Sequence, residues 1–235
     1  MARGRRGLAS ATLLSIAGIA ILVALGTWQV LRLGWKESLI ASLEERLAAE
    51  PLDGLPAGAE PGAIEYRRVR LSGVFLHDEA MAVLNRTLDG RLGVHVVTPF
   101  GLGPDWAVLV DRGWAPADPG ANRPVVELRA DGPGRVVVEG IIRAAGRPGW
   151  LVPDNAPERD QWYYIDIPAM AAHAGLGAVA PYYIAEGLRR DGYPAGAMAG
   201  VKLRNEHLGY ALTWYGLAAA LASVYLVYRR RALRG

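Results

Sequence analysis

The sequence predicts an α+β membrane protein, with two transmembrane helices, N- and C-terminal, flanking a mostly antiparallel β barrel- or sandwich-like extracytoplasmic domain. Three observations carry this. Leu8 to Leu31 and Leu208 to Tyr228 contain no charged residue. At about 1.5 Å per helical residue each spans roughly 30 Å, the thickness of a bilayer core. Both stretches are bordered on the terminal side by arginines alone: Arg3, Arg5 and Arg6 in front, Arg229, Arg230, Arg231 and Arg234 behind. Between them the pattern changes to short alternating runs punctuated by Gly, Pro and Asp, the signature of strands.

Composition narrows the function classes. The net charge is +3, yet the terminal arginines alone outnumber it, so the middle of the chain is acidic. The basic character is therefore juxtamembrane and does not suggest nucleic-acid binding. The chain has no cysteine, which excludes disulfides, thiolate nucleophiles and Cys-ligated copper, zinc or iron–sulfur centres.

In chain order, residues 1–7 read as a cytoplasmic basic tail and 8–31 as the first transmembrane helix. A cleaved signal peptide is the alternative, but its apolar region is about 7–15 residues and this run is far longer. Small residues at Ala11/Ser15, Ala20/Ala24 and Gly216/Ala220 would let two helices approach closely. Basic, short tails at both ends place both termini in the cytoplasm of a two-pass cell (plasma or inner) membrane protein, and the central domain in the periplasm. Residues 32–63 read as a juxtamembrane helix and linker. In "GTWQVLRLGWK" (Gly26 to Lys36), Trp28 and Trp35 suit an interfacial belt and Arg32 can snorkel, whereas Gln29 fits that account poorly. Leu39, Ile40, Leu43 and Leu47 continue an apolar helix face, Glu50-Pro51 ends it, and Pro51 to Ala63 reads as a linker.

Residues 64–204 read as the β-rich domain. Strands are expected in "IEYRRVRLSGVF", "AMAVLN", "GVHVVTPF", "WAVLVDRGW", "RVVVEGIIRAA", "WYYIDI" and "APYYIA", and a helical turn over Pro168 to His173 after Asp166. Arg189 to Gly200 is a connector. Residues 205–228 form the second transmembrane helix and 229–235 a second basic tail.

Hydrolytic chemistry finds little support. The outer region has only Ser38, Ser42 and Ser72, none in a nucleophile elbow, and no phosphate-cradling glycine loop. His77 beside Asp78 and Glu79 reads as a solvated histidine; His95 in a strand and His173 in a turn suggest local hydrogen bonding, and none is spaced as a ligand pair. His207 differs, because it is an ionisable group at the end of a membrane helix. Tyr210 and Trp214 follow at i+3 and i+7, on the same side of that helix. One imidazole suffices as an axial ligand to haem iron, with Arg204 and Arg32 placed to meet propionates. The alternative is an interfacial histidine within an aromatic belt.

The segments "LGTWQVLRLGWK", "NRT" at Asn85, "VDRGWAP" at Val110, "WYYIDIPAMA" at Trp162 and "NEHLGYALTWYGLA" at Asn205, in that order between two spans, resemble the Surfeit-locus family of cytochrome c oxidase assembly factors, in its bacterial form. The resemblance implies a non-enzymatic membrane protein that assists assembly of the haem A-containing catalytic subunit. It also implies haem a binding with His207 as iron ligand. Tyr210, Trp214, Arg204, Arg32, Gln29 and Trp28 then become the candidate surroundings of the macrocycle. The implied partners are the oxidase catalytic subunit, haem A synthase and membrane lipid, with no nucleic acid. A cofactor-free adaptor that holds the unfinished subunit through surface residues such as Arg86, Arg112 and Trp114 is the competing reading.

Overall fold

The computed structural model describes residues 2–56, 58, 60–117, 134–146, 148–187, 192–197 and 206–234, with side chains from residue 10 onward. It divides into two units, Met1–Leu43 with Lys202–Gly235, and Glu44–Val201.

The first unit is an antiparallel helix pair. Helix α1 runs from Ala2 to Ala48 without a break, so the predicted span and juxtamembrane helix are one rod. Helix α4 runs from His207 to Arg234 and carries the terminal arginines on its last turns. Both are long and apolar enough to cross a membrane, which makes this a two-pass membrane protein. The partly buried residues of α1 (Ser15, Gly18, Leu22, Leu25, Gln29 and Leu33 among them) recur every three or four positions, the seam of two packed helices. On α4 the seam is His207, Ala211, Trp214, Ala218 and Leu221. Small residues set the spacing, although not all of those expected. A Cβ on Gly26 would stand 2.8 Å from the Tyr215 ring, and one on Gly18 would stand 3.0 Å from Leu221. Ala20, Ala24, Gly216 and Ala220 lie instead on exposed faces. Thr12 Oγ1 and the Tyr225 hydroxyl, 2.7 Å apart, tie the far end. Such polar ties matter more than apolar area here, because lipid is as apolar as leucine.

The second unit is a closed barrel. Its strands are β1 (Leu52–Asp53), β2 (Arg68–Phe75), β3 (Met81–Leu88), β4 (Arg91–Gly103), β5 (Trp106–Pro116), β6 (Val136–Arg143) and β7 (Ala178–Glu186). Neighbours run β2–β6–β7–β5–β4, and β4 returns to β2 through Val74↔Gly101 and Phe75↔Phe100, closing the ring. Pairing is antiparallel except β5 with β7 and the short β1 with β2. β3 adds to the outer edge of β4. Two short helices, α2 (Pro61–Ile64) and α3 (Ile167–His173), complete the unit. Alternation fills the barrel: Val69, Leu71 and Phe75 of β2, Val108 and Val110 of β5, and Ala180, Tyr182 and Ile184 of β7 all point inward. Residues of the opposite parity, such as Leu109, join Met81, Val83, Trp162, Ile167 and Met170 in a second cluster beneath α3.

Two expectations change. Pro51 to Ala63 is more than a linker, since Leu52 and Asp53 pair with Val69 and Arg70 and α2 follows. "WYYIDI" is not a strand. Trp162 makes a single bridge to Val83, and the Asp166 carboxylate accepts the Ala169 N–H as the cap of α3. Asn155 competes for the ladder positions, its side-chain oxygen accepting the N–H groups of Tyr163 and Tyr164. Half of the connector Arg189 to Gly200 lies outside the described residues, as do Arg204 and Asn205.

Candidate functional site

At the start of α4, the His207 imidazole meets the Gln29 side chain of α1. Nδ1 and Oε1 are 2.7 Å apart. An amide oxygen only accepts, so Nδ1–H donates, which in the neutral ring leaves the lone pair on Nε2. A hydrogen bond at one ring nitrogen fixes the tautomer and the orientation of an imidazole. The sequence signal was the glutamine that the interfacial belt left unexplained.

The other predicted neighbours separate. Trp214 is partly buried on the His207 stripe. Tyr210 is 54% exposed, because it precedes Ala211, the centre of the seam, and one residue turns a helix by about 100°. Trp28 is 56% exposed next to Gln29 for the same reason. Arg32 is exposed, and its guanidinium carbon lies 3.9 Å from the centre of the Trp35 ring, a contact along the surface of α1. Of the predicted set, the structure brings together Gln29 and His207, with Trp214 on the same stripe of α4.

The residues expected on a partner-facing surface of the barrel need correction. Arg112 is fully buried, with Nε 3.7 Å from Glu186 Oε2, Nη1 3.5 Å from His77 Nδ1 and the guanidinium 4.5 Å from the Phe75 ring centre. Trp114 is buried as well; its indole N–H donates to the Arg86 carbonyl at 3.1 Å, and its ring meets Tyr193 edge-on. The reason is that β5 pairs on both sides and is covered on both faces, so residues of both parities are inside. Gly113 between them has φ +97°, and a Cβ there would collide with the Gly196 backbone. Arg86 is only partly buried.

Sequence reasoning also passed over a pair. His95 Nδ1–H donates to the Asp111 carboxylate at 2.9 Å, within the barrel unit. The available signal was an aspartate inside the apolar strand "WAVLVD", where an acid is rare unless it has partners. Among the described residues, no group of three or more metal-ligating side chains gathers.

A model of the SURF1 family matches residues 16–219, which takes in most of α1, the whole barrel and the first half of α4. The chain belongs to the SURF1 family. It is 39% identical over 221 residues to a SURF1-like protein of Monosiga brevicollis, covering 88% of this chain and 83% of that one. It is 41% identical over 216 residues to Surfeit locus protein 1 of Mus musculus, covering 83% and 68%. Against Surfeit locus protein 1 of Homo sapiens the identity is 38% over 232 residues, covering 90% and 74%. The family match spans the stretches that hold both Gln29 and His207.

Proposed function

We propose that the chain is a non-enzymatic assembly factor for haem A-containing cytochrome c oxidase, and that it holds haem a through Nε2 of His207. The observation that carries this reading is the 2.7 Å contact between Gln29 Oε1 and His207 Nδ1. It occupies one ring nitrogen and leaves the other as a ligand. When bound, haem a supplies a redox-active iron that accepts an imidazole nitrogen. Gln29 fixes the tautomer and ring orientation. Trp214 offers a flat apolar surface beside the ligand, and the cationic Arg32 suits propionates at the polar edge. A protein that shelters an apolar, reactive pigment until its insertion would limit loss and side reactions. The partners on this reading are the oxidase catalytic subunit, haem A synthase and surrounding lipid. On this reading the chain sits in a bacterial inner membrane, and the arginine-only tails support an orientation with both termini cytoplasmic and the barrel periplasmic.

The cofactor-free adaptor loses part of its basis, because two of the three residues it would present, Arg112 and Trp114, are buried. Haem a titration of purified wild-type protein and of His207→Ala separates the readings. We expect a saturable axial-imidazole spectrum in the wild type and its loss in the variant. Equal spectra and stoichiometry in both would reject the ligand role.

A further inference from the structure

The barrel carries a second polar assembly that haem binding at His207 does not use. Arg86, His95, Asp111, Arg143 and Tyr183, on five strands, line one cleft of about 690 Å³ together with residues 144–146 and 163–165. Small-molecule sites are about 300–1,000 Å³.

Its charges are unequally committed. Asp111 is 6% exposed and accepts both His95 Nδ1–H and the Gly113 N–H, each at 2.9 Å. Glu65 accepts the Ala144 N–H at 3.4 Å and stands 3.6 Å from Arg143 Nε. Arg86 donates to the Tyr163 carbonyl at 3.3 Å, and no carboxylate among the described residues pairs with it. The Tyr183 hydroxyl likewise has no hydrogen-bond partner among the described residues. Burial raises its pKa, Arg143 and Arg86 acting against the shift and Asp111 and Glu65 with it, so the hydroxyl feels all four charges. Among the described residues the cleft therefore offers one cation without an acid partner, one phenol without a hydrogen bond, and apolar walls from Val152 and Ile165.

We propose that this cleft binds a small carboxylate with a flat apolar body, its carboxylate held by Arg86 and the Tyr183 hydroxyl and its body against Val152 and Ile165. A guanidinium matches a planar carboxylate with two parallel hydrogen bonds.

The test is calorimetric titration of the full chain in lipid nanodiscs with 2-naphthoate, after subtraction of empty nanodiscs. Saturable one-to-one binding is expected in the wild type and in His207→Ala. Arg86→Gln should weaken it about tenfold or more, in line with the loss of charge-assisted hydrogen bonds, and Tyr183→Phe should weaken it less. Arg86→Lys, which keeps the charge and loses the fork, should fall between wild type and Arg86→Gln. Thermal unfolding of each variant reports folding. Absence of saturable binding in the wild type, or equal affinity in folded Arg86→Gln, overturns the site. Equal binding of uncharged 2-naphthylmethanol, or displacement of the probe by equimolar inorganic phosphate, overturns the carboxylate assignment.

Discussion

Gln29 Oε1 and His207 Nδ1 face each other across the antiparallel helix pair at 2.7 Å, although 178 positions separate them in the chain. The contact makes the tautomer of His207 a property of α1. Gln29→Leu keeps the helix and most of the volume but removes the acceptor. The imidazole is then free to place its proton on either nitrogen and to rotate. We expect nitrogen NMR of the free protein to show a mixed tautomer in place of Nδ1–H. Haem a affinity should fall about 10–100-fold, the usual effect of losing an outer-shell partner. An unchanged tautomer in Gln29→Leu would show that α1 does not set it.

Gly26 is the second place where the helix pair depends on one residue. A Cβ there would approach three atoms of the Tyr215 ring at 2.8–3.0 Å, and the Tyr215 hydroxyl is 3.1 Å from Thr27 Oγ1. Gly26→Val should push the ring out, break that hydrogen bond and loosen the seam. Because the chain has no cysteine, cysteines introduced at the exposed Leu14 and Val224 carry spin labels without background. Broader and longer inter-label distances in Gly26→Val are expected. A distribution matching that of the parent would mean that the pair tolerates a side chain at this point.

The two rods and the strand-rich middle are legible in the sequence because charge-free length and two-residue alternation are local signals. The α3 segment is legible for the same reason, since Asp166 and Pro168 mark its start. The closing of the barrel is not. It rests on two residue pairs between β2 and β4, and no local pattern announces them. Placing Arg112 and Trp114 on the surface fails because charge and aromaticity in a strand do not reveal whether a second layer covers it. Tyr210 fails by one position, since i+4, Ala211, is the centre of a seam that is known only once the partner helix is, and i+3 turns out of it. Gln29 is the opposite case: its poor fit to an interfacial belt was readable, but its partner was not.

Arg112 and Glu186 form a buried ion pair, with 0% and 7% of their side chains exposed and 3.7 Å between Nε and Oε2. Neutralising one member leaves the other charged in a low-dielectric setting. Glu186→Met and Arg112→Met should each destabilise the barrel by about 3–5 kcal/mol, while the combined apolar replacement recovers much of the loss. Chemical denaturation of the three variants checks this. Strictly additive single losses would show that the two groups do not sense each other.

The barrel should also weaken at alkaline pH through Tyr183. Burial raises the pKa of this hydroxyl above the ordinary value of about 10, because the phenolate would lose its hydration. In the unfolded chain the proton leaves near pH 10, while the native state retains it to higher pH. The native state then binds more protons, so its stability is intact below about pH 10 and declines as pH rises from there through the folded pKa. Tyr182, also raised by burial, adds a parallel contribution. Lysine deprotonation contributes equally to wild type and variant. Tyr183→Phe removes one titrating group and leaves the ring packed, so its unfolding free energy should fall less steeply than that of the wild type between about pH 9 and 11. Parallel curves would mean that the Tyr183 hydroxyl titrates alike in the folded and unfolded chain, and that it is not enclosed among the charges of the cleft.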